Sequence, residues 1–304
     1  MHEHMGDGNL LHLRVRLTRS AVWVGPAWAV VCGAVASGAF PKGWYSLVLL
    51  LVAIVLADPI LGTVWSLASS ADGKSPGSEK DNPGPRHSVP SLPYTLPGSL
   101  AGRLGEIVAE RVSRWRVSTG ERSVELLVGL GFIATLAMLL AALLGGVPAL
   151  LVGAALATVF GRLVLGQALG RLEGALATAL LAGTPWLLGF AVFARSWGQE
   201  NWLASAGAPL LWAAAYALAF HACALIAGEV LVRGARLLTV VHAASIVLLV
   251  LAKEPILAGG VALLFLPQAM LQPLMLRLSD GRWYLRRAQV FTLLAMLALA
   301  AAMR

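Results

Sequence analysis

Long apolar runs alternate with short polar gaps along most of the chain. Nine runs stand out, at residues 21–40, 44–69, 123–143, 146–166, 175–194, 203–227, 236–252, 255–276 and 288–303. A helix needs about 20 apolar residues to cross a hydrocarbon core roughly 30 Å thick. Most of the runs meet that length, and 236–252 is short for a full span. The pattern predicts an all-α polytopic membrane protein with about nine transmembrane helices. Residues 1–20 form a polar segment ahead of a single transmembrane domain over 21–304.

One polar region is extended, residues 70–122. Its first part, 70–98, is rich in Pro, Gly and Ser and reads as an irregular loop. Over about 99–118 the pattern changes. Leu100, Leu104, Ile107, Val108, Val112 and Trp115 recur at helical spacing, while Arg103, Glu106, Glu110, Arg111 and Arg114 take the other positions. That arrangement predicts an amphipathic helix lying in the headgroup region.

Composition supports the membrane class. The chain of 304 residues is 58% hydrophobic and 12% charged, against about 25% charged for a soluble domain. Its net charge of +8 follows the membrane instead of marking a nucleic-acid partner. With the N-terminus inside, the inner segments carry nineteen Lys and Arg and the outer segments four, namely Lys42, Arg195, Lys253 and Arg304. Basic residues accumulate on the cytoplasmic side of membrane proteins. The expected location is therefore the inner, cytoplasmic membrane, with the N-terminus cytoplasmic and the C-terminus outside. No cleavable signal peptide is expected, because residues 1–20 are polar and the first apolar run is long enough to remain in the bilayer. Cys32 and Cys223, the two cysteines, both sit in apolar runs and read as small buried hydrophobes. Trp23, Trp28, Trp44, Trp197, Trp202 and Trp283 fall near run boundaries and suit an aromatic belt.

Few polar residues interrupt the runs, and each needs a reason. Asp58 lies fourteen residues into the run that starts at Trp44, with Pro59 after it. A charge at the centre of a membrane helix costs roughly 2.5–3.5 kcal/mol on insertion scales. Pro59 donates no backbone hydrogen bond, so the helix opens there and water or a neighbouring donor gains access to the carboxylate. His221 and Cys223 occupy the sixth run and His242 the seventh. A membrane histidine either ligates a chlorin or haem or hydrogen-bonds to a neighbouring helix. His2 and His4 lie in the polar N-terminal segment.

The layout resembles the UbiA superfamily of membrane prenyltransferases. Nine helices, an inside N-terminus and a long cytoplasmic loop after the second helix agree with it. LTRSAVWVGPAWAVVCGAVASGAF is similar to the first helix of that family. PYTLPGS falls where the family has an Arg-Pro-Leu-Pro-Ser-Gly run, and GEVLVRGARLLTVV stands in the position of its second acidic segment. The resemblance implies a helical bundle around a central cavity that binds a prenyl diphosphate through Mg²⁺. It also implies a first cluster of the form Asn-Asp-x-x-Asp-x-x-x-Asp. Taking Asp58 as the first aspartate, Ala57, Leu61 and Trp65 replace the other members. Glu229, ahead of Arg233 and Gly234, is the acidic position left in the second cluster. Arg162 and Arg171 lie near the place of a Lys-Arg pair found in the family.

Hard cations on a diphosphate take several oxygen ligands, and one carboxylate per cluster does not supply them. Asp58 and Glu229 are thus the candidates for catalysis or metal binding, with no firm assignment. Asp58, Trp65, His221, Glu229 and Arg233 are the candidates for lining a lipid cavity. Three functions follow. One is a non-catalytic subunit of a larger membrane complex, binding lipid, quinone or pigment. A second is a divergent prenyltransferase acting on an aromatic or chlorin acceptor, for which Mg²⁺ is the cofactor. The third is a carrier of an isoprenoid-tailed molecule. Expected partners are membrane lipids or isoprenoid-tailed small molecules and other integral membrane subunits.

Overall fold

The computed structural model describes residues 25–39, 43–70, 128–165, 173–194 and 207–303. The predicted loop and amphipathic helix of 70–122, the N-terminal segment, His2, His4 and Arg171 lie outside these residues, except for Ser70. Among the described residues every regular element is helical and no strand occurs. Helix α1 is Pro26–Ala36. Helix α2 covers residues 44–70 and contains a π-helical turn, Leu56–Ile60, between Trp44–Val55 and Leu61–Ser70. Helices α3 and α4 are Val128–Leu144 and Gly146–Leu165. Helix α5 covers 173–193, with a second π-helical turn at Ala179–Gly183. Gly207–Ala227, Leu231–Leu251, Pro255–Leu278 and Gly281–Ala301 form α6 to α9.

Seven of these helices, α2 and α4 to α9, are long and apolar enough to cross a membrane. The other two, α1 and α3, are apolar but shorter. The 11 described residues of α1 reach about 16 Å at 1.5 Å per residue, roughly half a hydrocarbon core. Two helices start ahead of their apolar runs. Helix α7 begins at Leu231 and takes in Arg233 and Arg236, and α9 begins at Gly281 and takes in Arg282, Arg286 and Arg287. All five arginines are exposed. Long basic side chains extend to the interface while their stems stay on the helix, so charge does not end the helix where hydropathy ends. Asp280 starts α9 by accepting the backbone N–H of Trp283 at 2.9 Å, an N-cap bond.

Both π-helical turns coincide with proline. Pro59 lies inside the first, and Pro185 follows the second by two residues. A proline removes one i→i−4 bond and crowds the preceding turn, and a widened turn relieves that crowding. Hydroxyls take up carbonyls there: Thr63 donates to the Pro59 carbonyl, and Thr184 donates to that of Ala179 at 3.1 Å.

The core has two parts. One is built from α5, α6, α7, α8 and α9 with α1, around Trp186, Tyr216, Ile226, Leu238, Met275 and Tyr284. The other joins α2, α3 and α4 around Leu56, Leu61, Val64, Leu130 and Val152. Helices α1 and α5 contribute to both and stand between them. Their crossing depends on two glycines. A Cβ on Gly33 would lie 1.9 Å from the Trp186 carbonyl oxygen, and one on Gly189 would lie 2.1 Å from that of Val30. Only glycine permits so close an approach of two backbones. Two long-range bonds tie α1 down further: Trp28 Nε1 donates to the Leu293 carbonyl at 3.2 Å, and the Tyr216 hydroxyl donates to that of Gly25 at 3.2 Å.

Turns of two or three residues join α6 to α9. Each places a non-glycine residue in the left-handed region: Glu229 at φ 66°, Lys253 at 63° and Ser279 at 51°. In the first two, the next N–H reaches back five residues along the chain, Val230 to Leu225 and Glu254 to Leu249, both at 2.9 Å. This is the Schellman closure of a helix C-terminus.

Candidate functional site

Helices α5 and α6 lie side by side, and small residues dominate their facing surfaces. Ala175, Ala179 and Gly183 on α5 face Ala213, Ala214 and Ala217 on α6. Without large side chains to fill the seam, a groove of about 490 Å³ remains. Ligand pockets occupy roughly 300–1,000 Å³. The π-helical turn forms part of its wall. From Ala175 to Leu187 the groove follows about 18 Å of α5, at 1.5 Å per residue.

Its two ends differ. Leu187 and Leu210 line one end with apolar surface, and Thr178 and His221 stand toward the other. The His221 Nδ1 lies 2.9 Å from the Thr178 Oγ1, and that hydroxyl donates to the Gly174 carbonyl at 2.7 Å. The third polar side chain of the lining, Thr184, has its proton committed to the Ala179 carbonyl. The groove is thus a mostly apolar furrow on the helix surface, with Thr178 and His221 toward one end.

The other sequence candidates lie elsewhere. Asp58 sits half-buried in the π-helical turn of α2, beside the buried Leu56 and Ala57. One and two turns on, Leu61 is fully buried and Trp65 is 9% exposed. The guanidinium of Arg162, only 5% exposed, lies 4.5 Å from the centre of the Trp65 ring. This cation–π contact accounts for part of the environment of a buried charge from α4. Glu229 and Arg233 are both exposed, at the α6–α7 turn and the start of α7. The backbone of Glu229 has a plain task there as the left-handed residue of the turn. Asp58 thus borders the α2–α4 core and Glu229 the α5–α9 core. Among the described residues no group of three or more His, Cys, Asp and Glu side chains gathers in a way that would hold a metal. That donor set does not fit a Mg²⁺–diphosphate unit, which needs several oxygens at once.

A polar network that sequence reading only touched lies between α7, α8 and α9. His242 and Gln268 are fully buried, and Thr292 is nearly so. The His242 Nδ1 lies 2.8 Å from the Leu238 carbonyl, which only accepts, so Nδ1 carries the proton. Its Nε2 then accepts from the Gln268 amide at 3.3 Å. The same amide nitrogen donates to the Leu264 carbonyl at 3.2 Å, and the Gln268 Oε1 accepts from Thr292 at 2.9 Å. Phe265 stacks on the imidazole with ring centres 5.1 Å apart. One turn away, Gln272 donates to Thr239 at 3.2 Å. Both nitrogens of His242 are thus engaged, whereas the His221 contact to Thr178 uses Nδ1 alone. The sequence signal for this network is the spacing of Thr239 and His242 on α7 and of Gln268 and Gln272 on α8, each pair on one helix face, with Thr292 on α9.

Comparison of the chain with protein-family models, with curated proteins and with solved structures gives no match.

Proposed function

We propose that the protein is a UbiA-like integral membrane protein that binds an isoprenoid-tailed lipid, quinone or pigment without transferring the chain. In this reading it has about nine transmembrane helices, a cytoplasmic N-terminus, and a place as a non-catalytic subunit of a larger complex in the inner membrane. The observation that carries the binding reading is the groove between α5 and α6, walled mostly by alanine, glycine and leucine, with Thr178 and His221 toward one end. A long, thin apolar chain with a small head matches that shape. Support for the loss of transfer chemistry comes from α2. Leu61 and the Arg162-covered Trp65 occupy positions where the resemblance would require aspartates.

The test is extraction of the full-length protein, purified from its native membrane, and mass spectrometry of the lipids that remain bound. An isoprenoid-tailed molecule should be enriched over bulk lipid in the wild type and depleted in Ala217→Leu, which fills the groove beside Gly183. Equal lipid content in the two proteins would remove the groove from consideration. Release of pyrophosphate from a prenyl diphosphate in the presence of Mg²⁺ would overturn the non-catalytic reading.

A further inference from the structure

The polar end of the groove is chemically one-sided. Thr178 has a single hydroxyl proton and two polar neighbours, the Gly174 carbonyl at 2.7 Å and the His221 Nδ1 at 2.9 Å. A carbonyl oxygen has no proton to give, so the Thr178 proton goes to Gly174. The contact to His221 is then a hydrogen bond only if Nδ1 carries a proton and donates to Oγ1. In a neutral imidazole one nitrogen donates and the other accepts, and the bond made by one sets the role of the other. Nε2 is therefore left with its lone pair. Among the described residues nothing bonds to it.

Thr184, the remaining polar side chain of the lining, offers no free proton either. Among the described lining residues, the His221 Nε2 is the side-chain nitrogen left to accept at the head end, and neither threonine has a free proton. Resting on the groove-binding reading above, we propose that it selects chains whose head carries a hydroxyl, an alcohol or a phenol, and discriminates against heads that only accept. The hydroxyl donates to the His221 Nε2, and the chain runs along α5 and α6 toward Leu187 and Leu210. A quinol or a prenyl alcohol meets this requirement, while the matching quinone or ether does not. Thr178 acts as a positioning residue, since its contact with Nδ1 sets the tautomer of His221.

The experiment uses the full-length protein in lipid nanodiscs and two probes with one chain, farnesol and farnesyl methyl ether. A single neutral hydrogen bond distinguishes them, so farnesol should bind roughly three- to tenfold more tightly. His221→Phe should retain the ether and lose the preference, bringing the ratio to about one. Thr178→Val keeps the shape of Thr178, frees the tautomer and should shrink the ratio with His221 still in place. It also serves as the second variant if His221→Phe does not fold. Equal binding of both probes by the wild type, or tighter binding of the ether, overturns the donor selection and leaves the groove reading standing. Binding of neither probe overturns the groove reading itself, and this inference with it.

Discussion

The amide of Gln268 donates to His242 and to the Leu264 carbonyl and accepts from Thr292, so one side chain joins α7, α8 and α9. Interhelical hydrogen bonds in membranes average only about 0.6 kcal/mol each. Leaving their partners buried and unpaired costs more, about 1–3 kcal/mol. Gln268→Leu should therefore destabilise the protein by about 1–3 kcal/mol, measured by reversible unfolding in mixed detergent micelles. The triple variant Gln268→Leu, His242→Phe, Thr292→Val removes the whole set and should recover most of that loss. A triple variant no more stable than Gln268→Leu alone would show that shape, not pairing, sets the cost. The spacing of these residues is legible in the sequence, because two polar pairs stand at three- and four-residue intervals in apolar runs. Their pairing is not, because the face that α8 turns toward α7 is fixed by packing between helices. Asp58 shows the same limit. Its cost in an apolar run is legible, whereas the Arg162–Trp65 contact that occupies the next turns of α2 joins residues far apart in sequence.

Among the elements, α1 and α5 depend most on a single atom's absence. A Cβ at Gly33 or Gly189 would enter the carbonyl of the opposing helix, so the helices must separate. Overpacking of a close-packed interior costs about 1–3 kcal/mol and sometimes more, and this contact lies between the two halves of the core. Gly33→Ala and Gly189→Ala should each destabilise by at least that amount. Gly131 in α3 has nothing within 4 Å of such a Cβ. Gly131→Ala should therefore stabilise by about 0.5–1 kcal/mol through helix propensity alone. If all three substitutions behave alike in the same unfolding measurement, the close crossing is not a feature of the folded protein. Hydropathy places every described helix within or across one of the apolar runs, because burial in lipid demands apolar length. It cannot locate the π-helical turns, although Pro59 and Pro185 mark where they fall. Helix starts at Leu231 and Gly281 escape it too, since the arginines there reach the interface without ending the helix. The groove was legible only as a density of alanine and glycine, which close packing would equally require. His221 was legible as a polar residue in an apolar run, without its partner Thr178.

At the scale of the whole molecule, the short turns between α6 and α9 force neighbouring helices to run antiparallel. The α6–α7 and α8–α9 turns must then lie on one side of the membrane and the α7–α8 turn on the other. Arg233, Arg236, Arg277, Arg282, Arg286 and Arg287 flank the first two turns, while Lys253 is the basic residue of the third. The positive-inside rule predicts that the first side is cytoplasmic, which would send α9 outward and place Arg304 outside. If α8, α7, α6, α5 and α4, each long and apolar enough to cross, all do so, the start of α4 is outside as well. The side on which Gly77 lies then depends on α3 alone. If α3 crosses, Gly77 is cytoplasmic, in keeping with the eight Lys and Arg between residues 70 and 122. If α3 turns back within the bilayer, Gly77 is outside with Arg304. A reporter inserted after Gly77 should read cytoplasmic and one fused at Arg304 should read outside. Both reading outside would overturn the proposed count of nine crossing helices, while both reading cytoplasmic would contradict the arginine placement around α6 to α9.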